Sequence, residues 1–148
     1  RKSKKENVFV MKIIGLICMA LFVLVACRSS KRDPGLAGMK WILESVDGQK
    51  VEMKVAGNEI IMQFNDGEKR VTGMAGCNRF FGGYEADGNK LKFSHMGATR
   101  MTCPDQETET GFFRILENTD AFRIRDRQLS LLQKGKVLAL FKGKPVEK

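Results

Sequence analysis

The residues best equipped for chemistry lie in Ala75–Glu85, AGCNRFFGGYE, and in Ala98–Cys103, ATRMTC. Together they hold two thiols, Cys77 and Cys103, one amide, Asn78, and two guanidiniums, Arg79 and Arg100. A thiol nucleophile is activated by a neighbouring imidazole. The chain has one histidine, His95 in FSHMGAT, and no third group at a recognisable spacing would orient it. A zinc site from Cys77, His95 and Cys103 would have the spacing Cys-x17-His-x7-Cys, which matches no familiar pattern. The glycines form no phosphate cradle, for neither GxxxxGKS/T nor a GxGxxG opening a helix is present. No catalytic residue, metal ligand or cofactor is therefore expected, and the chain reads as a non-enzyme.

What remains is binding and architecture. Arg79 follows Cys77 by two residues, and Arg100 precedes Cys103 by three. A Cys77–Cys103 bridge would bring both arginines together, where they could hold a carboxylate or phosphate bidentately. The alternative is that each pairs with a local acid, Glu85 or Asp105, or stacks on Phe80 or Tyr84. Asn78 tolerates left-handed backbone and can bond its own main chain, which suits a corner. Gly82-Gly83 inside a strand points to a bulge or a close backbone approach. On this reading Asn78, Arg79 and Arg100 are the candidate binding residues.

The N-terminal sequence says where these residues act. Lys2, Lys4, Lys5 and Lys12 precede the uncharged run IIGLICMALFVLVA, Ile13 to Ala26. That run is shorter than the roughly 20 residues of a membrane-spanning helix. A basic segment, a short apolar segment and small residues at its end describe an export signal, residues 1–26. A buried core helix would need a polar face, and this run has none. Leu24-Val25-Ala26-Cys27 resembles the bacterial lipoprotein box, with Cys27 as the diacylglycerol (and palmitate) carrier. Two or three acyl chains, at about 0.8 kcal/mol per buried methylene, would hold the protein on a membrane permanently.

Export changes two counts. Cys18 leaves with the signal and Cys27 carries lipid, so Cys77 and Cys103 remain as an even pair in a compartment where disulfides persist. Such a bridge would contribute about 3.5 kcal/mol by loop closure. A thiol-dependent activity is the competing use of these cysteines, though no CxxC lowers either pKa. The net charge of the whole chain is +9, and residues 1–27 hold five basic and one acidic side chain, leaving +5 on the remainder. That excess suits anionic headgroups or polysaccharide, and an exported protein has no access to nucleic acid. Arg28 rather than Asp follows Cys27, which favours the outer membrane, facing the periplasm or the surface.

Behind Cys27, residues 27–38 read as a flexible tether with a reach of about 18 Å. One domain, 39–143, follows. Short alternating runs recur between turn signals: KWILESV before Asp47-Gly48, EIIMQF before Asn65-Asp66-Gly67, then KRVTGMA, Phe80–Ala86, KLKF, AFRIR, QLSLL and VLALF. Asn/Asp-Gly supplies the positive φ angles of a two-residue hairpin turn, so these are antiparallel neighbours. Pro104–Asn118, PDQETETGFFRILEN, lacks that alternation. It begins with acids, which favour a helix N-terminus, and Thr102-x-x-Asp105 has the form of a capping box. Gly111 weakens this helix by about 1 kcal/mol relative to alanine, which suggests a packing reason. The expected fold is α+β: a single, mostly antiparallel domain, a curved sheet or partial barrel with one helix packed on it.

GCNRFFGGYE with LKF, then ATRMTCP, the acidic helix with FFRILEN, and DRQLSLLQKGKVLALF resembles the META domain, the HslJ-like family of heat-shock-associated envelope proteins. The opening WILESVDGQKV is similar to that family's first strand. The resemblance spans nearly all of Lys40 to Phe141. It implies a compact α+β domain, no established catalytic activity, no cofactor, and a structural or stress-protective role in the envelope. The expected partners are the membrane, through the lipid, and an envelope protein or anionic ligand. A monomer is expected. A binder or inhibitor of an envelope enzyme is the alternative role.

Overall fold

The computed structural model describes residues 35–50, 59–102 and 106–146. The lipoprotein box with Cys27, the capping position Asp105 and Cys103 lie outside the described residues. The alternating runs form nine strands among the described residues: β1 Met39–Val46, β2 Gln49–Lys50, β3 Ile60–Asn65, β4 Arg70–Ala75, β5 Arg79–Asp87, β6 Lys90–Ala98, β7 Ala121–Arg125, β8 Gln128–Gln133 and β9 Lys136–Pro145. One helix, α1, spans Gln106–Asn118 between β6 and β7. It shows the lack of β alternation read from its sequence.

All the strands belong to one antiparallel sheet, and β1 pairs with β9 along Met39–Val46 as well as with β3. The sheet thus nearly closes into a ring, which removes most of its open edge. Its weak seam is β6–β7, where Lys90 opposite Ala121 is the single register pair. The chain leaves the sheet at that seam to build α1. The expected curved sheet with one packed helix is the fold observed.

Period-two patterning drives the closure. β1 alternates buried and half-buried positions without a break, placing Met39, Trp41, Leu43 and Ser45 inside. β3 does the same with Ile60, Met62 and Phe64. Each fully buried large apolar side chain contributes about 1.5–3 kcal/mol. Two aromatic groups fill the ring. Phe64 meets Tyr84 edge-on at 4.9 Å and Phe93 at 6.1 Å. Phe112 of α1 enters from the helix side, 5.3 Å from Phe80 of β5 and 6.5 Å from Phe141 of β9. A helical residue thereby touches two different walls of the ring. Trp41, fully buried, donates from Nε1 to the carbonyl of Leu36 at 2.8 Å. Leu36, in the stretch read as tether, is itself buried.

The hairpin turns follow the positive-φ logic in part. Asp47-Gly48, Asp126-Arg127 and Lys134-Gly135 each place two consecutive residues at positive φ, matching the strand twist. Asn65-Asp66-Gly67 does not make a two-residue turn. The β3–β4 turn runs through Lys69, the residue with positive φ there, and the Asn65 Oδ1 accepts from the Gly67 and Glu68 N–H groups at 3.0 and 3.2 Å. The asparagine acts by its side chain rather than by its backbone. Gly82-Gly83 does mark a bulge: the β5–β6 register shifts between Phe81 and Gly83. On the β6 side His95 takes φ 50, so the loop histidine of the sequence reading is an exposed bulge residue within a strand.

Two glycines behave oppositely. A Cβ on Gly73 would stand 1.9 Å from the Ile61 carbonyl oxygen and 2.7 Å from the Phe80 ring. A Cβ on Gly111 would meet nothing within 4 Å, so no packing reason holds glycine there. Gly73→Ala is expected to cost about 3 kcal/mol through overpacking. Gly111→Ala is expected to add about 0.5–1 kcal/mol through helix propensity. Urea midpoints of the two variants check the opposite signs.

Candidate functional site

The motif residues meet at the corner between β4 and β5. Gly76 takes φ 94, and the Ala75 N–H donates to the Asn78 carbonyl at 2.8 Å, closing a tight loop. Asn78 is 4% exposed. Its Oδ1 accepts from the Met101 N–H and the Thr99 hydroxyl, both at 2.8 Å. Its Nδ2 donates to Glu109 Oε2 at 2.9 Å and to the Met101 carbonyl at 3.3 Å. Both donors and both acceptor positions of the amide are thus engaged. Towards Met101 the side chain pairs as a strand residue would, giving to the carbonyl and taking from the N–H.

The sequence suggested that Asn78 would turn the chain by bonding its own backbone. Instead it reaches residues 21 to 31 positions away, which no local pattern reveals. Glu109 and Thr99 are the partners that sequence reasoning missed. The one signal is an acid in the first turn of the helix, which the helix dipole favours whether or not it has a partner. Thr99 completes the link by accepting the Arg79 N–H at its Oγ1, 3.1 Å, while its own N–H donates to the Arg79 carbonyl at 3.0 Å. Corner, post-β6 segment and helix are therefore tied at one point.

Cys77, inside this corner, is disulfide-bonded. His95 sits at the β6 bulge, between the register pairs Ser94–Gly83 and Gly97–Phe81. Among the described residues, no group of three or more His, Cys, Asp or Glu side chains could hold a metal. Arg79 and Arg100 are exposed and lie on adjacent segments through the Thr99–Arg79 bonds. The ion pairs among the described residues are Lys69–Asp66 at 3.9 Å and Lys136–Asp47 at 2.9 Å, so neither arginine pairs with Glu85. The cation over the Tyr84 ring is Lys69, at 5.7 Å, and not Arg79.

Tyr84 belongs to the same motif and lies inside the ring. Its hydroxyl donates to Asp66 Oδ1. Burial, then that hydrogen bond, then the Asp66 charge push its pKa far above the ordinary tyrosine value. Two open depressions flank α1. One, about 400 Å³, has an apolar floor of Leu43, Ile60, Phe112 and Leu138. The other, about 540 Å³, lies over the β6–β7 seam between Lys90, Glu117 and Lys134. Neither contains Asn78, Arg79 or Arg100.

Residues 34–145 match the META domain. The chain belongs to the META domain family. Among solved structures it is similar to an NMR structure of a protein from Burkholderia xenovorans, with 26% identity over 74% of this chain and 83% of that one, TM-score 0.61. A second NMR structure shares 24% identity over 72% of this chain and 90% of that one, TM-score 0.58. A crystal structure of a DUF4847 family protein from Bacteroides vulgatus shares 17% identity over 76% and 96%, TM-score 0.50. The last two bear on the fold alone. No curated protein matches the chain. For this META domain the corner motif is a knot that holds the helix to the sheet.

Asn78→Ala would remove the hydrogen bonds that the amide makes to the Met101 backbone, the Thr99 hydroxyl and Glu109, and should cost about 1–3 kcal/mol. Asn78→Asp should cost at least as much, because a carboxylate cannot donate to Glu109. Adding Glu109→Gln to Asn78→Asp restores a donor–acceptor pair, so a double-mutant cycle should show recovery.

Tyr84 is the chain's one tyrosine, so tyrosinate absorbance reports it alone. With its folded pKa raised, the folded state holds a proton that the unfolded state loses near pH 10. That stability is complete below pH 10 and is lost as pH rises above it. Tyrosinate should appear only with unfolding. Tyr84→Phe should lose about 1 kcal/mol at neutral pH and should flatten the alkaline decline.

Proposed function

We propose that this META domain protein is a non-enzymatic, lipid-anchored bacterial envelope protein with a structural or stress-protective role. The observation that carries this reading is the engagement of Asn78, Thr99 and Cys77 in bonds within the protein. Asn78, Thr99, Met101 and Glu109 share one hydrogen-bond network, and Cys77 is held in a disulfide. Such a set stiffens a domain and leaves no thiolate to attack a substrate. Cys103 is the proposed partner of Cys77, which would fix the segment before α1 to the same corner.

Export supports the disulfide, and the disulfide supports export, since such bonds persist outside the cytosol. The basic start, the apolar run and Leu24-Val25-Ala26-Cys27 supply the address. Outer-membrane attachment, facing the periplasm or the surface, is the proposed location. The second reading is a binder of an envelope protein or an anionic ligand through Arg79 and Arg100. What favours it is that both guanidiniums are exposed and without an ion pair among the described residues.

Cys27→Ser should accumulate as precursor and leave the membrane fraction. A strain without the protein should survive heat or detergent stress less well, with rescue by wild type and not by Cys27→Ser. Equal survival of all three strains would refute the protective role. A Cys27→Ser protein processed and retained in membranes would refute the anchor. For the second reading, Arg79→Glu/Arg100→Glu should release a captured partner without lowering the melting temperature.

A further inference from the structure

One wall of the ring carries a surface pattern that the corner motif does not explain. Strand register places Lys142, Ile42, Ile61, Met74 and Arg79 side by side across β9, β1, β3, β4 and β5. The next row is Lys144, Lys40, Gln63, Thr72 and Phe81. Both rows occupy the positions that alternate with buried ones, so they face outward. Phe81 is 46% exposed, and Ile42, Ile61 and Met74 are half-buried. Arg70, also exposed, extends the wall on β4.

The charge in these two rows has one sign. Lys40, Arg70, Arg79, Lys142 and Lys144 make no ion pair among the described residues. The acids on the wall are Glu44, which accepts from Gln128 Nε2 at 3.4 Å, and Glu85, which stands opposite Lys92 of β6. Lys40 stands directly opposite Lys144, a cross-strand arrangement that is unfavourable without a counter-charge. A fold that tolerates this leaves room for an anion from outside.

We propose that this wall docks on an anionic lipid bilayer. The inference rests on the lipid anchor proposed above. The chain enters the domain through Gly35–Gly38 at the head of β1, and Ala37 bridges Phe64 of β3, so the tether arrives at the strand ends that border Gln63 and Thr72 of the second row. Residues 28–34, between Cys27 and the described domain, add Arg28, Lys31 and Arg32 against Asp33. The anchor thus holds the basic wall within reach of headgroups. A bilayer offers what both rows need, a negative surface and an apolar boundary beneath it. A second copy would present the same sign, and a soluble polyanion offers nothing to Ile42, Ile61 and Met74.

The test uses the lipidated full-length protein in vesicles of phosphatidylcholine, alone or with phosphatidylglycerol, containing a spin-labelled lipid quencher. An environment-sensitive dye is placed at Thr72→Cys on the wall or at Glu117→Cys on α1. The dye at position 72 should be quenched in the anionic vesicles and released by salt, and the dye at 117 should not be quenched. Each cation near an anionic leaflet strengthens docking roughly five-fold. Lys40→Gln/Arg70→Gln/Arg79→Gln should therefore lower the ratio of docked to undocked protein by roughly a hundred-fold. The salt titration of the wild type decides the matter even if that variant is unstable. Equal quenching at both positions, or equal quenching at 72 in both lipid mixtures, overturns the proposal. So does a wall that binds anionic polysaccharide while position 72 stays unquenched on vesicles. Failure to float with phosphatidylcholine vesicles overturns the anchor itself. Flotation without quenching at 72 overturns the docked wall and leaves the anchor standing.

Discussion

The structure depends on one buried side-chain amide. A ring of strands can close on itself, but a helix inserted between β6 and β7 has no ladder to hold it, and that seam has a single register pair. Asn78 supplies the missing attachment. It binds Glu109 of α1 and the Met101 backbone at the same time. An intramolecular hydrogen bond is worth only about 0.5–1.5 kcal/mol net, but a buried polar group left without a partner costs about 1–3 kcal/mol. Asn78 therefore specifies position more than it adds energy. With the amide in place, the helix can present Phe112, Ile115 and Leu116 to the ring.

Apolar packing then exploits what the knot has positioned. Phe112 reaches Phe80, two residues beyond Asn78, and Phe141 on β9. The knot and the plug share the start of β5, so a shift at the corner would be felt in the core. Gly73 shows how little slack exists nearby, since it pairs directly with Phe80 and has no room for a methyl group. The rim of α1 is different. Gly111 faces open space beside the 400 Å³ depression, so close packing stops at the helix face that meets the core.

Much of this was legible in the residues. Alternation in KWILESV and EIIMQF and the short turns gave the strands, because each signal is local and periodic. The break in alternation at PDQETETGFFRILEN gave the helix. Asn65-Asp66-Gly67 misled as to turn type, because an Asx side chain can close a turn that a Gly at positive φ would otherwise make. β6 ran further than KLKF, since a bulge at His95 carries the strand past the point where alternation fails. Closure through β1 and β9, and the meeting of Asn78 with Glu109, depend on contacts between distant positions. Composition and spacing carry no record of those.

Strand parity gives the corner motif a division of labour. Thr99 fixes both the N–H and the carbonyl of Arg79, so the backbone there has no freedom to rotate. Asn78 and Phe80 are buried on either side of it, and successive side chains in a strand point to opposite faces. Arg79 must then project from the outer wall, in line with Met74, Ile61, Ile42 and Lys142. The hydrogen-bond network that ties Asn78 to the helix thus continues, through Thr99, into the bonds that set the direction of a surface cation. An interior built for stiffness and an exterior open to a partner need not compete for residues when they alternate along one strand.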